Sequence, residues 1–174
     1  MLGIFLFIAS EVMLFGAFFT AYFFVRVAAG TPWPTPPFHL PVFVAGVNTV
    51  ILVTSSFTMH WSVQSIRRND RAGMKAGVTL TILLGLAFLL TQAIEYAHVG
   101  FNTGDGAFAS TFFGLTGLHG AHVFIGLSLL TFAAVRAFRG HYSPEHYHGL
   151  EIPGIYWHFV DVMWIVVYTT VYLL

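Results

Sequence analysis

Residues 155–174 read I-Y-W-H-F-V-D-V-M-W-I-V-V-Y-T-T-V-Y-L-L. The run is apolar and long enough to cross a bilayer as a helix of roughly 20 residues. Near its start it carries His158 and Asp161, three apart and so on one helical face. Ionisable groups inside a spanning helix are costly; they face the protein interior and take partners from neighbouring helices. The stretch therefore predicts a bundle whose other helices supply polar partners.

Composition agrees. The chain is 57% hydrophobic and 8% charged, against about 25% charged in a soluble domain, so it reads as an all-α integral membrane protein. Seven basic and seven acidic residues cancel, which argues against nucleic acid as a partner. The absence of Cys excludes disulfides, thiolate-bound zinc, iron–sulfur clusters and Cys-bridged copper. Abundant Phe, Tyr and Trp suit helices facing lipid and one another, and Trp33, Trp61, Tyr156 and Trp157 are the candidates for interfacial, lipid-contacting aromatics.

Five segments qualify as spans: Leu2–Val25, Pro41–Gln64, Gly73–His98, Phe108–Phe138 and Ile152–Leu174. Together they make one transmembrane domain over residues 1–174. The first has no basic n-region and no cleavage motif, so it reads as a mature span and not as a signal peptide. The first connection, with Pro32, Pro34, Pro36, Pro37 and Pro41, predicts a stiff extended link. Connections two and four hold Arg67, Arg68, Arg71, Lys75, Arg136 and Arg139, whereas Arg26 falls opposite. The positive-inside rule places those two connections in the cytoplasm, with the N-terminus inside and the C-terminus outside. Small residues such as Gly77, Gly85 and Gly126 recur along the spans and allow close helix packing. No inverted repeat of the transporter kind is visible.

Glu11 is the most costly residue, roughly 13 Å into the first span at 1.5 Å per residue. With no local charge beside it, it is either neutral or hydrogen-bonded to a donor on another helix. His119 and His122 share a face of the fourth span, and Glu95 lies towards the outer end of the third. Rise per residue makes a bond from Glu11 to His122 or His158 feasible and a contact with Glu95 improbable. Ser55, Ser56 and Thr58 can bond their own backbone or a neighbouring helix. Di-iron sites need Glu-x-x-His on two helices, and among the spans only the third carries that spacing, at Glu95 and His98. Helix–helix hydrogen bonds are favoured over ligation for the intramembrane histidines, and solvated pairing for His141, His146 and His148.

At this point the residues resemble a known family. Y-W-H-F-V-D-V-M-W (156–164) and S-T-F-F-G-L-T-G-L-H-G-A-H-V-F-I-G (110–126) resemble signatures of subunit III of the haem–copper oxidases, the cytochrome c oxidase family. Q-A-I-E-Y (92–96) and F-I-A-S-E-V-M-L-F (7–15) look like further blocks, as do Asn48–Thr49 and Ser55–Ser56. The blocks fall in family order over almost the whole chain.

The resemblance implies an accessory subunit without a redox centre, packed on subunit I beside subunit II. Haem and copper are expected in those partners, cytochrome c as donor to the complex, and oxygen reduction coupled to proton pumping as the reaction. It also implies bound phospholipid, support of proton uptake, and the bacterial cytoplasmic membrane as the location. Glu11 takes the position of the family's buried glutamate. His119, His122, Glu95, His158 and Asp161 carry over as buried polar residues, and Asn48, Ser55 and Ser56 as interhelix polar groups. Longer family members have seven spans, and this chain resembles their five-helix part. A quinol oxidase subunit III stands beside this reading; further off stand a membrane b-type cytochrome and a small proton transporter built around Glu11.

Overall fold

The computed structural model describes residues 2–30, 33 and 40–174. Five helices account for nearly all of them: α1 Leu2–Ala29, α2 Val42–Arg67, α3 Arg71–His98, α4 Ala107–Phe138 and α5 His148–Tyr168, the last continuing as a π-helical turn, Thr169–Leu173. Each is long and apolar enough to cross a membrane. The prolines of the expected link, except for Pro41, fall outside the described residues.

Left-handed backbone closures end two of the helices, and a side-chain cap starts a third. After α2, Asn69 takes a left-handed φ of 58°. Its N–H bonds the Ile66 carbonyl at 3.0 Å, and the Asp70 N–H bonds that of Ser65 at 2.8 Å. This Schellman closure satisfies carbonyls that the helix end would leave orphaned. Asp70 then caps α3, accepting from the Gly73 N–H at 2.9 Å. Gly140, at φ 77°, closes α4 in the same way.

The last span was expected from Ile152, after the loop; the helix instead begins at His148, one turn earlier. Pro153, in the second turn, costs this helix one N–H bond, to the Gly149 carbonyl. Glu151 in that first turn faces the positive end of the helix dipole. It also meets Arg67 of α2 at 2.6 Å.

Helices α2, α3, α4 and α5 form a closed ring of neighbours, α2 on α3, α3 on α4, α4 on α5 and α5 on α2. α1 lies outside the ring, against α4 and α5. The difference shows in burial: α1 buries Phe15 and Tyr22, whereas α5 buries about half its length. Large apolar side chains on the outer faces, such as Phe5, Phe43, Phe57, Leu90 and Phe132, stay exposed, as a lipid-facing surface requires.

The centre of the ring is an indole. Trp157 is fully buried, and its Nε1 donates to Ser55 Oγ at 2.9 Å. Gly85 of α3 and Gly126 of α4 make room for it. A Cβ on Gly85 would stand 2.6 Å from Trp157 Cη2, and one on Gly126 2.8 Å from Cε3. One side chain of α5 thus touches all three other helices of the ring.

This corrects two aromatic assignments. Trp157 and Tyr156, expected at the lipid interface, are buried at 0% and 1% exposure. Their place in the ring, not their amphipathic character, decides where they face. Trp61 is 48% exposed, and half-buried Trp33 donates from Nε1 to Tyr22 Oη at 2.8 Å.

Candidate functional site

The polar residues fall into three separate groups. In the first, α1 meets α4: Glu11 Oε2 lies 2.7 Å from His122 Nε2. The other ring nitrogen, Nδ1, reaches the Leu118 carbonyl one turn back at 2.7 Å. Since a carbonyl only accepts, Nδ1 carries a proton. Phe15 covers the imidazole, its ring centroid 4.9 Å away. His122 is buried and Glu11 half-buried. A backbone-oriented imidazole therefore holds the carboxyl, joining a peripheral helix to the ring.

The second group lies between α2 and α5. His158 Nδ1 is 2.5 Å from Ser56 Oγ, and Asp161 is buried one turn further along α5. Both Asp161 carboxyl oxygens lack hydrogen-bond partners among the described residues. A bond from His158 to Glu11, feasible on depth, is not made: Glu11 meets His122 instead. On α5, Phe159 turns towards Phe15 of α1, while His158, Asp161, Val162 and Ile165 line a groove with Val53, Ser56, Phe57 and His60 of α2. Residues 158 and 159 point to different faces of the same helix, so the Glu11 and His158 sites are separated by α5 itself.

The third group is at the opposite end of the bundle from Glu151. Tyr172 Oη donates to Glu95 Oε1 at 2.6 Å, tying the π-helical turn to α3. Thr91 Oγ1 donates to Asn48 Oδ1 at 2.7 Å, tying α3 to α2. Tyr172 was not singled out from the sequence, although a Tyr in a spanning helix offers a polar tip on an apolar body. Tyr172→Phe should leave the Glu95 carboxyl without this donor and destabilise the bundle by about 1–3 kcal/mol. A lowered midpoint of unfolding in mixed detergent micelles would measure it; an unchanged midpoint would contradict the role.

His119 does not fit the expectation of hydrogen-bonded histidines. It is fully buried, and neither ring nitrogen has a partner among the described residues. Instead it packs beside Trp164, centroids 4.9 Å apart, and edge-on to Phe88 at 5.8 Å. Three residues from His122, it faces the apolar ring interior while His122 faces α1. Ser55 fits the interhelix expectation through the Trp157 bond, and Thr58 reaches Thr81 of α3 at 2.8 Å.

At the basic end, His148 Nδ1 lies 3.1 Å from Glu151 Oε2, while the Ser143 and His146 backbones bridge the loop. Among the described residues no three His, Asp or Glu side chains converge as a metal site would need.

The whole chain, residues 1–174, matches the family model described as cytochrome c oxidase subunit III. It is 38% identical over 174 residues to a cytochrome c oxidase subunit 3 of Thermostichus vulcanus, covering 99% of this chain and 86% of the relative. To that of a Synechocystis species it is 42% identical over 177 residues, covering 100% of this chain and 75% of the relative. To that of Oryctolagus cuniculus it is 39% identical over 176 residues, covering 98% and 67%.

Proposed function

The chain belongs to the cytochrome c oxidase subunit III family, and from that premise we propose that it is the accessory subunit of a proton-pumping terminal oxidase. In this reading it is a multi-pass protein of the bacterial cytoplasmic membrane, with its N-terminus and the basic connections inside. It carries no redox centre. It packs on subunit I beside subunit II, in a complex that oxidises cytochrome c and reduces oxygen to water. It binds phospholipid, stabilises subunit I and supports proton uptake.

The observation that carries the reading is the Glu11–His122 contact at 2.7 Å. A carboxyl on the helix least covered by its own chain is held by an imidazole of the ring. Such a pair can take up or pass a proton at a surface that faces lipid or another subunit. The Arg67, Arg68, Arg71, Lys75, Arg136 and Arg139 cluster at one end of the bundle suits anionic headgroups on the cytoplasmic side.

Glu11→Gln tests it. The amide keeps the volume and can still bond His122, so the complex should assemble with unchanged haem content. Proton uptake by the reconstituted oxidase should slow during turnover. Normal uptake in a fully assembled variant would remove Glu11 from the function, and loss of the complex would make it an assembly determinant instead. A Soret band from the purified subunit alone would overturn the accessory reading.

A further inference from the structure

We infer that the α2/α5 groove holds a proton-exchange site in which the Ser56 hydroxyl joins His158 and Asp161 into one proton-sharing unit. This goes beyond the proposed function and rests on neither Glu11 nor His122.

The geometry runs from the membrane surface inward. At the mouth, Arg67 and Glu151 pair at 2.6 Å, with His148 on the same carboxylate at 3.1 Å. One turn in, Gln64 Nε2 lies 2.7 Å from His60 Nε2. A space of about 140 Å³ there is walled by His60, Gln64, Arg67, Glu151 and His158. His60 and His158 also wall the next, larger space of about 410 Å³, which Asp161 lines as well. The two histidines thus stand between a charged, solvent-side mouth and a buried carboxyl.

His158 is committed at one nitrogen. Its Nδ1 is 2.5 Å from Ser56 Oγ, which leaves Nε2 for the groove. Ser56 and Asp161 line the same space. Both oxygens of that carboxyl are buried with no hydrogen-bond partner among the described residues, a state costly for a carboxylate at this depth. A hydroxyl both donates and accepts, so Ser56 can receive a proton from His158 Nδ1 while giving its own to Asp161. Imidazolium and carboxylate become imidazole and carboxylic acid, with atoms and charge conserved. Exchange through His158 Nε2 and His60 then connects the unit to the mouth.

The groups facing it are His60 and Arg67 from α2, and His148, Glu151 and His158 from α5. Val53, Phe57, Val162 and Ile165 complete the lining and bring no charge to it. A structural polar contact would need the Ser56–His158 bond alone. It would leave unexplained a carboxyl buried beside that bond without one of its own.

The test is infrared difference spectroscopy during pH titration of the chain purified with its native partners and returned to lipid. Wild type should show a carboxylic-acid carbonyl band that shifts in D₂O. Asp161→Asn should abolish the band, and Glu11→Gln should leave it. Ser56→Ala should move its titration midpoint by about one pH unit, the scale at which two groups titrate as a pair, whereas Ser56→Thr should restore it. His158→Gln carries the same readout should Ser56→Ala fail to accumulate. A spectrum with no band lost in Asp161→Asn overturns the proposal. So does an Asp161 band whose midpoint ignores both Ser56→Ala and His158→Gln. Failure here leaves the Glu11 proton-uptake result standing, since the two measurements use different residues.

Discussion

Gly77→Ala should part α2 from α3. A Cβ there would stand 2.7 Å from Ser62 Cβ and 2.9 Å from both Ser62 Cα and the Thr58 carbonyl oxygen. Carbon contacts settle at about 3.5–4.0 Å, and two of these three atoms are backbone, which cannot rotate away. The helices must therefore move apart by about 1 Å. Three hydrogen bonds cross the seam near Gly77: Ser62 Oγ to the Met74 carbonyl at 2.7 Å, Thr58 Oγ1 to Thr81 Oγ1 at 2.8 Å, and Thr81 Oγ1 to the Ser55 carbonyl at 3.4 Å. An added ångström takes each out of hydrogen-bond range. Overpacking costs about 1–3 kcal/mol, and each interhelix bond lost in a membrane about 0.6 kcal/mol more.

The measurement is the unfolding midpoint in mixed micelles, with Gly16→Ala as control. Gly16 sits on α1 with nothing within 4 Å of its Cβ position, so that variant should unfold like wild type. Equal midpoints for the two variants would refute the close α2/α3 approach.

What the sequence made legible follows from what one helix reveals about itself. Length and apolarity located all five spans, since both are local. The cost of burying Glu11 was legible too, and with it the need for a partner, because that cost depends on depth. Rise per residue narrowed the partner to His122 or His158. Direction was not legible. Which neighbour a face of α5 meets depends on the order of helices around the ring, and no single helix encodes that. So depth allowed His158 as a partner of Glu11 on α1, whereas the fold turns His158 and Asp161 to α2. Trp157 was misread for the same reason: an indole suits a membrane interface and a tight core equally well. Only the two glycines facing it, on two other helices, decide for the core. Those glycines carried a usable signal, since small residues mark close approach, but nothing in the sequence said which large side chain they admit.

That division points to Trp157 as the residue whose loss costs most. Trp157→Ala should destabilise the bundle by about 3–5 kcal/mol, the range for truncating a buried large aromatic. In a membrane the loss is one of packing, because lipid tails are as apolar as the core and burial itself contributes little. The cavity would open where α2, α3, α4 and α5 meet, and Ser55 Oγ would lose the indole N–H at 2.9 Å. Gly126→Ala alone should also destabilise, since its Cβ would stand 2.8 Å from Trp157 Cε3, with the Tyr156 ring no nearer than 3.5 Å. In the Trp157→Ala background that clash is gone, and the same methyl enters empty space. The double variant should therefore be no less stable than Trp157→Ala alone, a coupling of at least the full Gly126→Ala cost. Unfolding midpoints of the four proteins in the cycle measure it. If the two losses simply add, the cost of Gly126→Ala does not come from Trp157, and the indole is not what holds α4 against α5.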